Sequence, residues 1–339
     1  MTDEFLILSQ RDLREVMTFA DYVEAVTEAF QLLAQGRCQS PVPIEIPAQH
    51  GTFHIKAGSL PRGHGYVAAK INGNFPGNKA RYGLPTIQGA VFLADASNGQ
   101  PLALLDSMEI TLQRTGAATA VAARYLARPD SATATICGCG EQGRIQLIAL
   151  QHVLAIRRAF AWDIDPQVSR AYAAQMAAET GIDVQPVERL GEATRASDAI
   201  VTCTTADQPF LDIRDVRPGT FVAAVGADNP AKSEIAPSLM AAATVVVDVL
   251  KQAVFMGDLN HAIRAGTMTE EAVHAELGSL VTGKKPGRRN AEEITLFDST
   301  GVGVQDVAAA AHAYEIARER GLGSSSNDLA SIQGTLGAP

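Results

Sequence analysis

The sequence predicts an α/β fold in two parts, a doubly wound parallel domain and a separate antiparallel α+β domain. Three observations carry this expectation. Residues 134–150 run from a short apolar stretch through a glycine-rich turn into helical spacing, the pattern of a βα unit. Beyond residue 163 short apolar runs keep alternating with helical stretches, as buried strands of a parallel sheet do. Between residues 41 and 105 the texture differs. Short alternating runs are punctuated by Gly, Pro and Asn, which suits antiparallel strands.

The elements follow in order. Met17 to Asp21 opens a helix with Thr18 as cap and Asp21 at capping-box spacing. Val23, Val26, Ala29, Phe30 and Leu33 form its apolar stripe, and Gly36 ends it. Val42–Ile46, Thr52–Ala57, Tyr66–Ile71, Thr86–Leu93 and Pro101–Leu105 read as strands. Asn98-Gly99 marks a hairpin between the last two. Glu109–Ala127 is a long alanine-rich helix stopped by Pro129, and the domain junction lies along it. We place one domain at residues 1–115, with the C-terminal segment 305–339 returning to it, and the other at 116–304.

The second domain opens with the strand Ala134-Thr135-Ile136-Cys137, then Gly138-Cys139-Gly140-Glu141-Gln142-Gly143, then a helix. This is G-x-G-x-x-G in the context that gives it meaning. Gly138 permits the tight turn, Gly140 lets backbone approach a pyrophosphate, and Gly143 lets helix and strand pack closely. The first helical turn then offers its N–H groups and dipole to phosphate. A ribose hydroxyl needs an acid about 20 residues on. Asp163, after the strand Ala159–Trp162, stands there, with Asp165 as substitute. A carboxylate repels a 2′-phosphate, so NAD(H) is favoured over NADP(H), although Arg157 and Arg158 precede that strand. Val168–Thr180 (helix, ended by Gly181), Asp183–Pro186 (strand), Leu190–Ala196 (helix) and Ala199–Cys203 (strand) follow. Then come strands at Phe221–Val225 and Thr244–Asp248, a helix at Thr269–Leu280 and a strand at Ile294–Phe297. An amphipathic helix, Asp306–Arg320, precedes a tail that frays from Ser324.

At 339 residues the chain is long enough for two cores, and 46% hydrophobic with 19% charged residues suits a globular enzyme. A net charge of −9 argues against nucleic-acid and anionic-membrane partners, both of which attract basic faces. No apolar run reaches spanning length, and Met-Thr-Asp-Glu lacks the basic start of a signal peptide. Cys38, Cys137, Cys139 and Cys203 make no disulfide framework, so a reducing, cytoplasmic setting is expected. No metal-ligand spacing, P-loop or Ser-His-Asp order is present, and no metal is expected.

Ligands of open α/β sheets bind beyond the carboxyl ends of the strands. The segments to search are Thr202 to Thr205, Gly226 to Lys232, the stretch after Asp248, and Ser299 to Gly303. Asp228 sits on a turn pinned by Gly226 and Pro230, either as a functional carboxylate or as a turn-capping residue. Lys70, in an otherwise buried strand, either snorkels to the surface or holds an anion. Arg114, alone among small residues, suits a grip on a carboxylate, with a surface charge or interdomain salt bridge as the plainer reading. His54, Lys56 and His64 are further polar residues near strand ends, the histidines expected to be satisfied loop residues.

Several motifs together resemble the ornithine cyclodeaminase/mu-crystallin family: Lys70, Gly83-Leu84-Pro85-Thr86, and Asp106-Ser107 leading into Ile110-Thr111-x-x-Arg114-Thr115-x-Ala117. Gly138-x-Gly140, Gly226-Ala227-Asp228 with Lys232, and Phe297-Asp298-Ser299-Thr300-Gly301 add to them. The resemblance spans roughly Met17 to Arg320. It implies a homodimer joined through the antiparallel domains, which also bind substrate, and a Rossmann domain carrying NAD(H) or NADP(H). It further implies that Lys70 and Arg114 hold a substrate carboxylate, Lys70 also taking a catalytic part, and that Thr86 lies beside the substrate. Asp228 becomes the acid/base at the substrate nitrogen. The cofactor contacts are Thr115, Gly138, Gly140, Glu141, Gln142, Gly143, Asp163, Thr202, Cys203, Thr204 and Gly226, with Ser299 to Gly301 closing over the nicotinamide. The implied activity is NAD(P)-dependent hydride transfer at the α-carbon of an amino or imino acid. The alternatives are ornithine cyclodeamination and non-catalytic NAD(P)H binding. Where family members often carry an arginine after Pro-Val, this chain has Pro43, and Lys56 is the candidate replacement, resembling the reductase and ectoine-utilisation branches.

Overall fold

The computed structural model describes residues 4–326. The chain opens with β1 (Phe5–Leu8), α1 (Gln10–Val16) and α2 (Phe19–Ala34). A capping box starts α2: Thr18 accepts from the Asp21 N–H while the Asp21 carboxylate takes the Thr18 N–H. Then come β2 (Ile44–Ala48), β3 (Gly51–Leu60), β4 (Tyr66–Asn74), α3 (Asn78–Tyr82), β5 (Ile87–Asp95), β6 (Pro101–Asp106) and α4 (Ser107–Leu126). Next are β7 (Thr133–Cys137), α5 (Glu141–Val153), β8 (Arg158–Trp162), α6 (Pro166–Thr180), β9 (Asp183–Pro186), α7 (Leu190–Ala196), β10 (Ala199–Thr202) and β11 (Phe221–Ala224). They are followed by α8 (Pro237–Ala242), β12 (Thr244–Val247), α9 (Leu250–Ala253), α10 (Asp258–Arg264), β13 (Ala275–Glu276), α11 (Leu277–Val281) and β14 (Thr295–Asp298). The described chain closes with α12 (Gly303–Arg320) and β15 (Ser324–Ser326).

Among the described residues two compact units result, 4–114 with 302–326, and Thr115–Gly301, so the boundary falls inside α4. The first unit holds a seven-stranded sheet in the order β15-β1-β6-β5-β4-β3-β2. Its pairings are antiparallel except β1 on β6, which is parallel. α2 and α12 pack in this unit, α12 lying on β3 and β4. The approach there is close: a side chain on Gly303 would meet the Ala57 carbonyl at 2.1 Å, and one on Gly58 the Val304 N at 3.1 Å. The other face leaves apolar side chains exposed.

The second unit carries an eight-stranded sheet in the order β13-β12-β14-β11-β10-β7-β8-β9, parallel throughout. Its strands are apolar on both faces because helices cover both. From β7 the chain runs outward to β8 and β9, then crosses back to lay β10 on the other side of β7. In open parallel sheets ligands bind where the strand order reverses in this way, which here is at the carboxyl ends of β7 and β10. Among the described residues no helix is long and apolar enough to cross a membrane.

Three sequence expectations need correction. Thr269–Leu280 is not one helix: a 3-10 turn at Glu270–Ala272 leads into β13, and α11 starts only at Leu277. The free edge of β12 captures this segment, pairing Val246 with Ala275 and Val247 with Glu276. The final helix starts at Gly303 and is buried nearly all round through Tyr314, so it is a core helix rather than an amphipathic one. Ser324–Ser326 does not fray but pairs with β1; the remainder of the expected tail lies outside the described residues.

Candidate active site

The glycine loop fits a pyrophosphate. Gly138 has φ +101°, and a side chain there would strike the Cys203 carbonyl at 2.8 Å. At Gly143 a Cβ would lie 2.2 Å from the Gly138 carbonyl, which is the close helix–strand contact glycine exists to allow. Gly140, by contrast, faces open space and caps α5 with no side-chain acceptor. The first-turn N–H groups of α5 are therefore left to a ligand, in the dipole's favourable direction. Glu141 is exposed and paired with Arg144, and Gln142 is half-buried beside it.

Asp163 stands at the end of β8 and accepts the Cys139 N–H at 2.9 Å, which places its carboxylate against the glycine loop. Asp165 is occupied otherwise: it caps α6 through the Gln167 N–H at 2.8 Å.

The loops beyond the other strands are held from below by buried carboxylates. Thr202 is buried at the end of β10, and the Cys203 thiol contacts the Cys137 and Gly138 carbonyls at 3.4 and 3.3 Å. Ser299 is buried and donates its N–H to Ala224, while Asp248 takes the N–H groups of Thr300 and Gly301 at 2.8 and 2.6 Å. Asp228 is half exposed on its turn, with Lys232 Nζ 2.7 Å away. Thr115 is buried in α4.

In the first unit Lys70 and Arg114 converge. They are 3% and 5% exposed, and both reach Oδ1 of Asp306 on α12, at 2.8 and 3.1 Å. Arg114 also donates to Gln305 Oε1 at 2.9 Å, and Lys70 to Thr111 Oγ1 at 3.1 Å. Lys56 faces Lys70 across the ladder. Burial, with Arg114 and Lys56 nearby, pulls the Lys70 ammonium down to about 7 despite Asp306. Asp306 feels the opposite balance. Burial raises it, but Lys70 and Arg114 outweigh that and hold it below the ordinary carboxylate range. Below about pH 7, with Lys70 charged, two cations bridge to one carboxylate and the cluster carries an excess positive charge suited to an anion.

Thr86 does not join this cluster. It is exposed one residue before β5, whose first residue pairs with Asn74, and its carbonyl accepts the Phe75 N–H. His54 pairs with Glu45 and His64 with Asp95, as satisfied histidines do.

Sequence reasoning missed Asp306, Gln305, Glu234 and Asp258. Only one signal pointed to the first pair, an acid and an amide set in the apolar run Val304 to Ala311.

The chain as a whole is similar to known proteins. The model of the ornithine cyclodeaminase/mu-crystallin family matches residues 3–321. Alanine dehydrogenase of Archaeoglobus fulgidus is 38% identical over 95% of this chain and 98% of its own. An archaeal alanine dehydrogenase dimer with bound NAD superposes with a TM-score of 0.90 at 36% identity, covering 95% of this chain and 99% of that one. The Δ1-pyrroline-2-carboxylate reductase of Thermococcus litoralis, in complex with NADH and L-proline, gives 0.90 at 34% identity over 94% and 99%.

Proposed function

The chain belongs to the ornithine cyclodeaminase/mu-crystallin family, and on that premise we propose that it is an NAD(P)-dependent oxidoreductase moving a hydride to or from the α-carbon of an amino or imino acid, with NAD(H) preferred. The observation that carries this reading is the cationic cluster of Lys70 and Arg114 about Asp306 in a chain that also has the Gly138–Gly143 loop and Asp163. The relatives support it, since one similar structure holds NAD and another NADH with L-proline, an amino acid that carries an α-carboxylate.

When bound, the nicotinamide accepts or supplies the hydride. The protein residues do the rest. Arg114 and Lys70, with Lys56, hold the substrate carboxylate and so orient the α-carbon. Asp228 takes the proton from the substrate nitrogen as the C–H bond breaks and a C=N bond forms, and returns it in the reductive direction. Gly138, Gly140 and the start of α5, with Glu141, Gln142 and Gly143, receive the pyrophosphate, and Asp163 the ribose hydroxyls. Thr202 to Thr204, Thr115, Gly226 and Ser299 to Gly301 line the cofactor, and Thr86 borders the substrate.

A homodimer through the first unit's sheet belongs to the same proposal. Ile7, Leu104 and Phe92 are consecutive cross-strand neighbours on its exposed face, with Ile71, Ile55 and Ile44 forming a second row. Such a continuous apolar face calls for a partner, and the similar archaeal enzyme is a dimer.

The test is absorbance of reduced nicotinamide with NAD+ and a panel of L-amino acids, and in reverse with NADH, 2-oxo acids plus ammonia, or cyclic imines. Net change with one substrate supports the proposal. Proline and ammonia from ornithine without net change would make the protein a cyclodeaminase, and NADH binding without turnover would make it a carrier. Asp228→Asn should abolish turnover and spare NADH binding; retained activity overturns the assignment of Asp228.

A further inference from the structure

The loops after β10 and β11 hang on one buried side chain. Glu234 is fully buried. One of its oxygens accepts both the N–H and the hydroxyl of Thr204, the latter at 2.7 Å, and the other accepts the Gly226 N–H at 2.8 Å. The Thr204 hydroxyl passes the constraint on by accepting the Ala206 N–H at 3.2 Å. Gly226 itself acquires a reason here: a Cβ at that position would lie 2.4 Å from Glu234 Oε1 and 2.5 Å from the Thr204 carbonyl, so any side chain would expel the carboxylate.

Glu234 is fixed in turn. Asp258 at the start of α10 accepts the N–H groups of Glu234 and Ile235 at 2.8 and 3.0 Å and the Ser233 hydroxyl at 3.2 Å. Asp298, ending β14, accepts the Asp258 and Leu259 N–H groups at 3.3 and 2.9 Å. A continuous set of hydrogen bonds therefore runs from the end of β14, through the start of α10, to the turn that carries Asp228.

We propose that Glu234 is a positioning residue for the reaction, clamping the Thr204 loop and the Gly226 turn to one carboxylate so that the cofactor-lining backbone and Asp228 are held in a single geometry. This rests on the preceding assignment of proton transfer to Asp228. No ion pair neutralises Glu234 among the described residues; the ionisable groups acting on it or near it are Asp258, Cys137 and Cys203, with Asp298 behind Asp258. Burial first, and Asp258 next, push it up to about 7, so the clamp is complete only on the alkaline side of neutrality. A protonated carboxyl must donate where it now accepts.

The test is Glu234→Gln in the full-length protein. It keeps the shape but turns an amide NH2 towards a backbone N–H. NADH affinity, followed by its fluorescence, should weaken about 10-fold, and kcat should fall about 10- to 100-fold. KM for the amino acid should change less than about 3-fold, because its carboxylate is held elsewhere. The fall of wild-type kcat below about pH 7 should vanish from the variant's profile. Thr204→Val, which removes the hydroxyl that donates to Glu234 and accepts the Ala206 N–H but keeps the Thr204 N–H on Glu234, should move the same quantities by a smaller factor if Glu234→Gln does not fold. Unchanged NADH affinity, kcat and pH profile, whatever the melting temperature, overturns the proposal. If the wild type turns over no amino or imino acid, the functional reading fails, and the NADH titration alone still decides for or against Glu234.

Discussion

Lys70 Nζ lies 2.8 Å from Asp306 Oδ1, inside the first unit, between residues 236 positions apart in sequence. Arg114 reaches the same oxygen. One carboxylate serving two buried cations is a poor device for stability and a good one for ligand binding, since an incoming carboxylate completes the charge balance.

The first prediction concerns pH. Lys70 ionises about 7 in the folded protein, so its charge is present below that value and lost as pH rises through it. Affinity of the free enzyme for a simple 2-oxo acid inhibitor should therefore fall above about pH 7, and Lys70→Met should lose both the affinity and its pH dependence. Inhibition constants from pH 6 to 9 decide it. The same shift makes stability rise with pH between about 7 and the ordinary lysine value of 10.5, because there the unfolded chain binds the proton that the folded one has released.

Asp306→Asn leaves Lys70 and Arg114 without their shared counter-charge. Folding should lose about 3–5 kcal/mol, and added substrate should restore part of it. Urea denaturation with and without substrate measures both effects. An unchanged midpoint would remove Asp306 from the cluster's energetics.

Asp163→Arg should move cofactor preference towards NADPH by at least about 10-fold, since it replaces a repelling carboxylate with a phosphate partner. Some affinity for both cofactors should be lost as well, because Asp163 also holds the Cys139 N–H. Comparing kcat/KM for NADH and NADPH tests this; an unmoved ratio discards the ribose contact.

Gly143→Ala places a methyl 2.2 Å from the Gly138 carbonyl. Backbone must shift, at a cost of about 1–3 kcal/mol, and NADH binding should fall with it. Gly140→Ala, whose Cβ meets nothing within 4 Å, should leave thermal stability nearly unchanged and weaken cofactor binding alone. Calorimetry beside an NADH titration separates the two positions.

What the sequence determined by itself was whatever depends on neighbours in the chain. Strand, glycine turn and helix from Thr133 to Val153 are specified by local backbone freedom and by apolar spacing. The capping box at Thr18 and Asp21 is a three-residue relationship, and Asp163 follows the glycine loop at a set distance along one βα unit. Lys70 and Arg114 were visible as charges in apolar surroundings, and Asp228 as an acid on a pinned turn.

Only the tertiary structure decided their partners. Asp306 begins the segment whose pattern predicts an amphipathic helix, and the close contact of Gly303 with Ala57 seats α12 against β3 and buries it. Glu234 follows an ordinary surface-like run, Asn229 to Ser233, and becomes a clamp because the loops after β10 and β11, adjacent only in the folded sheet, bring Thr204 and Gly226 to it. Residues 269–280 carry helical spacing, yet the open edge of β12 makes part of them a strand. In each case the deciding interaction joins segments far apart in sequence. Burial then sets the energy of that interaction by removing water from charges and backbone groups, and no local pattern records it.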